Sequence, residues 1–184
     1  MFFKKLFGRS APERDAAETL YRRAVEKARD PRFYLELGVA DTVDGRFDMI
    51  VIHAMLIMRR LRDAHESGGR VAQALFDFMF QDMDRSLREM GIGDLSVGKH
   101  IKKMAKAFYG RAAAYEAGLD AAEAGDEAPL IAALEQAIYR HAPEIKAIAA
   151  MAGYLTRIDG YLRTQEPARI AAGDVSLELP IISS

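Results

Sequence analysis

The chain has 184 residues, half of them hydrophobic and 29% charged, which suits one folded domain with a substantial core and excludes a disordered tail or a membrane-embedded bundle. Its 26 basic and 27 acidic residues leave a formal charge of −1, without the basic excess of a dedicated nucleic-acid binder, and no DNA partner is expected. Cys is absent, so disulfides, thiolate zinc sites, iron–sulfur clusters and cysteine nucleophiles are all excluded.

The N-terminus reads Met1-Phe2-Phe3-Lys4-Lys5-Leu6-Phe7, and Lys4 and Lys5 break the apolar stretch that a secretory signal requires. Phe2, Phe3, Leu6 and Phe7 share a helical face beside these lysines. Two readings stand for residues 1–15: an interfacial membrane anchor of marginal affinity, or a frayed end. Helical periodicity then dominates. A first helix is expected over 16–28, stopped by Asp30-Pro31, and a short one from Pro31 to Leu37. A second long helix is expected over 46–65, with Gly68-Gly69 separating it from a third over 71–90. Gly91 closes the third, and Ser96 is the expected N-cap of a fourth reaching Ala124. Gly125 ends that helix. Pro129 lies in the first turn of a fifth, running to His141, and Pro143 starts a sixth that stops before Pro167. The segment from Asp174 to Pro180 alternates like a strand but has no partner, which predicts an extended tail. The expected architecture is all-α: a single-domain bundle of about six helices over 16–165, with a C-terminal tail over 166–184.

Three helices carry patterns that bear on function. In the 71–90 helix, Phe76, Met79, Phe80, Met83, Leu87 and Met90 fall in one arc about 100° wide, the expected core face. Phe78 lies outside that arc, either packed on a second neighbour or offered to a partner. In the fourth helix, Ile101, Met104, Ala105, Phe108, Ala112 and Tyr115 form an apolar face. Opposite stand Lys99, Lys102, Lys103 and Lys106, with no acid between residues 97 and 111. A solvated surface is the bland explanation, and a patch for an anionic partner the functional one, with Arg111 added. The 46–65 helix is apolar nearly all round. Met49, Ile52 and Leu56 form a second apolar side with His53 and Arg60 beside it, either buried in the bundle centre or lining a groove for an apolar client.

Catalytic signatures are scarce. There is no GxSxG, Walker loop, GxGxxG or HExxH, and the histidines at 53, 65, 100 and 141 do not pair at helical spacing. Asp77, Asp82 and Asp84 are the only carboxylates that suggest Mg²⁺ and a diphosphate, but Asp82 points away from the other two.

Four stretches occur in order: Asp44-Gly-Arg-Phe-Asp-Met-Ile-Val-Ile-His53, Gln73-Ala-Leu-Phe-Asp-Phe-Met-Phe-Gln-Asp-Met-Asp84, Leu87-Arg-Glu-Met-Gly-Ile-Gly-Asp-Leu-Ser-Val-Gly-Lys99 and Lys103-Met-Ala-Lys-Ala-Phe-Tyr-Gly-Arg111. Together they resemble the ubiquinol–cytochrome c chaperone family, over about residues 30–165, in the form of a bacterial member. The resemblance implies an all-helical, non-catalytic factor that binds cytochrome b or an early intermediate of ubiquinol–cytochrome c reductase, respiratory complex III. It implies no cofactor or metal, and a cytoplasmic protein held peripherally at the inner face of the membrane. Under this reading Met49, Ile52, His53, Leu56 and Phe78 contact the client. Lys99, Lys102, Lys103, Lys106 and Arg111 meet a membrane surface or ribosome, and Phe2, Phe3, Lys4, Lys5, Leu6 and Phe7 touch the bilayer. The alternative is a helical enzyme or binding protein acting on an isoprenoid diphosphate or lipid.

Overall fold

The structure, a computed structural model, describes residues 11–140 and 144–179, the side chain of Leu95 excepted. In chain order the helices are α1 (Ala11–Ala28), α2 (Pro31–Leu35), α3 (Val43–Leu61), α4 (His65–Glu89), α5 (Asp94–Glu123), α6 (Ala128–Ala137), α7 (Ile145–Thr164) and α8 (Pro167–Ala171). No strand occurs among the described residues. Six of these helices have ten residues or more, so the all-α bundle of about six helices is the architecture observed.

Helix α3 is the axis of the bundle, and α1, α4, α5, α7 and α8 all pack on it. Residues 51–57 are buried without interruption, which explains why this helix is apolar all round. Met49, Ile52, Leu56 and His53 are completely enclosed. The expectation that they present a face to a client is therefore corrected: that side is closed into the main core. Burying each of the three apolar side chains contributes about 1.5–3 kcal/mol. The two polar residues beside them are also satisfied internally. His53 Nδ1–H donates to the Met49 carbonyl (2.7 Å), and Nε2 accepts from the Tyr154 hydroxyl (2.8 Å). Arg60 donates to the carbonyls of Leu162, Arg163 and Gln165, which satisfies acceptors exposed where α7 ends. Phe78 is half-buried and packs against the main core, so it too is engaged in the bundle.

The break between α3 and α4 differs from the expectation. It falls at a single 3-10 turn, Arg62–Ala64, and at His65, whose φ is 53°; α4 then runs through Gly68 and Gly69. Gly68 is needed for close approach. A Cβ there would stand 1.8 Å from the Leu61 carbonyl oxygen, so any side chain would push the turn off the helix. Helix α5 begins at Asp94 after Gly93, which places Ser96 inside its first turn instead of at the cap. Helix α6 ends at Ala137, earlier than expected, with Ile138 to Arg140 leading away from it. At the C-terminus, Pro167 opens the short α8, since proline lacks only an N–H that a first turn leaves unpaired anyway.

Beyond Gly173 the chain is extended and docks on the helices. Val175 and Leu177 are buried, and the Gln165 side chain grips the Ser176 backbone by both its carbonyl and its N–H. Lys27 of α1 closes the strap, reaching Glu178 at 3.1 Å and Asp30 at 3.5 Å. The main core includes residues from α1 through Leu177. A second cluster of Val51, Ala54, Phe76, Met79, Phe80 and Phe108 fills the space between α3, α4 and α5.

Candidate functional site

Above that second cluster lies a groove of about 440 Å³. One wall is the start of α3, with Val43, Phe47 and Ile50; another is the end of α4, with Met83, Leu87 and Met90. The third comes from α5, with His100, Lys103, Met104 and Arg111, and Arg140 reaches in from beyond α6. The α4 wall continues the apolar arc of that helix. Phe76, Met79 and Phe80 are buried, Met83 is half-buried, and Met90 is 54% exposed. The arc therefore passes from core into groove lining toward the end of α4, with Leu87 still buried and Met90 open to solvent. Three methionines line the groove, and their unbranched, polarisable side chains adapt to partners of different shape.

The charged end of the groove is built on Asp48. Its side chain is buried and bound by both Arg111 and Arg140. Burial pushes its carboxyl up, and the two guanidiniums oppose that shift. This triad ties α3, α5 and the end of α6 together. The buried Tyr115 hydroxyl feels the charges of all three and has no hydrogen-bond partner among the described residues. Arg111 was expected as a surface cation; its ion pair with Asp48 and half-buried position make it a structural part of the groove instead.

Lys99, Lys102, Lys103 and Lys106 are exposed, and no ion pair among the described residues involves them. Lys103 lines the groove and the other three stand on the same helix outside it, so stripe and groove share α5. Residues Phe2, Phe3, Lys4, Lys5, Leu6 and Phe7 lie outside the described residues. No helix of the described residues is long and apolar enough to cross a membrane.

The three aspartates of α4 are each engaged within the bundle: Asp77 accepts from Gln73, Asp82 from Tyr21 and Arg85, and Asp84 from Arg88. The Asp84–Arg88 pair is the one expected from their spacing. Among the described residues no group of three His, Asp or Glu side chains could hold a metal ion.

Sequence reasoning missed most of the groove. Met83 and Met90 were assigned to the core, and nothing local joins Asp48 to Arg140, 92 positions away. The signal that was available is the α4 arc itself, which continues to Met90 past the point where the buried residues thin out.

Comparisons with known proteins agree with this architecture. The profile of the family described as ubiquinol-cytochrome C chaperone matches residues 35–177. The crystal structure of the Cbp3 homolog from Brucella abortus superposes with a TM-score of 0.80 at 35% identity, covering 96% of both chains. Ubiquinol-cytochrome c reductase complex assembly factor 1 is 25% identical in Mus musculus and 26% identical in Homo sapiens over 104 residues. That match spans 56% of this chain but only 35% of each mammalian protein. The chain belongs to the ubiquinol-cytochrome C chaperone family.

Proposed function

We propose that the chain is a non-catalytic assembly chaperone that holds an unassembled part of complex III, cytochrome b or an intermediate containing it, in the groove between α3, α4 and α5. The observation that carries the reading is this groove, an apolar and methionine-lined concavity on a chain of a chaperone family. A chaperone must cover apolar client surface without trapping it, and adaptable methionines on a supported wall suit that task. The client surface thus moves from the enclosed side of α3 to the mouth of the groove. The lysine stripe keeps the complex near an anionic surface such as the bilayer into which the client inserts.

The test is complementation. In a cell whose complex III depends on this chain, Met90→Glu should lower assembled complex III, read as cytochrome b absorbance and ubiquinol–cytochrome c reductase activity. Met90 is exposed, so the variant should fold, and an unchanged thermal melt verifies that. Full complex III levels with Met90→Glu combined with Met83→Glu would refute the groove as the client site.

A further inference from the structure

We infer that the groove selects one kind of segment, an amphipathic helix whose apolar ridge is flanked by acidic side chains. The inference rests on the chaperone reading above and names the chemistry of the occupant. Its first support is the way apolar and cationic groups alternate along the groove. Phe47, Met83 and Met104 offer a strip for an apolar ridge. The cations stand at two places along that strip, at Lys103 and at the Asp48 triad. Lys103 and Arg111 are eight residues apart on α5, about 12 Å at the helical rise. Arg46 on the α3 wall is held by Asp41 at 2.6 Å and is not free, and Arg140 enters from beyond α6 to the same Asp48 as Arg111.

The second support is the charge balance. Two acids line the groove, Asp44 and Asp48. Asp48 is shared between Arg111 and Arg140, so the triad keeps one positive charge in excess. Lys103 lies in a helical stretch without acids, and Lys99, Lys102 and Lys106 extend the positive field along it. A lone anionic lipid carries its charge at one end and would leave either Lys103 or the triad, about 12 Å apart along α5, unmatched. A helix lying in the groove brings the same face round about every seven residues, or about 11 Å, close to the Lys103–Arg111 separation. Helix-in-groove recognition places apolar anchors at such spacings and flanking charges against the rims.

The experiment uses synthetic amphipathic helical peptides that share one Leu/Met face and carry Glu, Gln or Lys at the flanking positions. Binding to the full chain is followed by fluorescence anisotropy at low and high salt. The Glu-flanked peptide should bind at least about tenfold more tightly than the Lys-flanked one, the sum of a few rim ion pairs, and the gap should shrink as salt rises. Lys103→Glu should reduce or reverse the preference while leaving the melt unchanged, and Met90→Glu should weaken all three peptides. Equal binding of the three peptides, a preference for the Lys-flanked one, or no peptide binding would overturn the inference. So would phosphatidylglycerol vesicles or a second copy of the chain displacing the Glu-flanked peptide while Gln- and Glu-flanked peptides bind alike. If Met90→Glu lowers complex III in cells but the peptides show no charge preference, the chaperone reading stands and this inference falls.

Discussion

His53 is a buried titratable group whose protonation should make the fold sensitive to acid. It lies in the interior, with Phe33 5.3 Å from its ring, between the Met49 carbonyl and the Tyr154 hydroxyl. Removal from water holds its pKa down at about 4, against an ordinary 6.5; Lys27 pushes the same way, and Asp30 opposes. The unfolded chain therefore takes up a proton near pH 6.5, while the folded chain resists until about pH 4. Stability due to this residue is complete above 6.5 and is lost as pH falls toward 4. At ~1.4 kcal/mol per pH unit the full effect is about 3 kcal/mol. Other groups titrate over the same range, so the reading is a difference between two chains. Urea denaturation of the unaltered chain and of His53→Gln is compared at about pH 7 and about pH 4.5. The variant should be less stable at the higher pH, having lost a packed ring and its hydrogen bonds, by about 1–2 kcal/mol. At the lower pH the difference should shift by about 2–3 kcal/mol in the variant's favour, enough to reverse the order, because Gln cannot take the proton. A gap that stays constant, or an imidazole NMR titration centred near 6.5, would refute the argument.

Three further outcomes follow from the packing and charges. Gly118→Ala places a Cβ 2.7 Å from the Leu130 Cα, against backbone that cannot rotate away, so α5 and α6 must part at a cost of about 1–3 kcal/mol. Gly110→Ala meets nothing within 4 Å and should stabilise the helix by up to about 1 kcal/mol; similar melts for the two variants would contradict this account. Asp48→Ala leaves two guanidiniums facing each other, and denaturation should show a loss of about 2 kcal/mol, below the value for a fully buried pair because Arg111 and Arg140 keep 19% and 32% of their side-chain exposure. Changing Lys99, Lys102, Lys103 and Lys106 to Glu should leave stability within about 0.5 kcal/mol but reduce co-sedimentation with phosphatidylglycerol vesicles at low salt. Unchanged sedimentation would remove the stripe as an anionic-surface contact.

The helices were legible because periodicity, Pro31, Gly91, Gly125 and Pro129 act locally, and local signals survive without tertiary knowledge. Gly68 misled for an instructive reason. A glycine pair reads as a helix break, whereas here Gly68 admits the Leu61 carbonyl to a helix that continues. The all-round apolar character of α3 was also visible, but whether its second side faced solvent or the main core depends on packing that no local pattern encodes. The groove lies at the far end of that uncertainty. Its Lys103 was singled out by the run without acids, but the Asp48–Arg111–Arg140 triad joins three separate segments, and Met90, just past the end of α4, lines the groove beside residues of α3 and α5 that are distant in sequence.

The central claim is that the groove mouth, and not another surface of the bundle, holds the client. The most direct measurement installs a photo-activated crosslinking amino acid at Met90, and separately at exposed Arg157 on α7, in living cells. The account predicts an adduct between the Met90 position and newly made cytochrome b, weak or absent from the Arg157 position. Equal adducts from both positions, or cytochrome b captured only from Arg157, would contradict it.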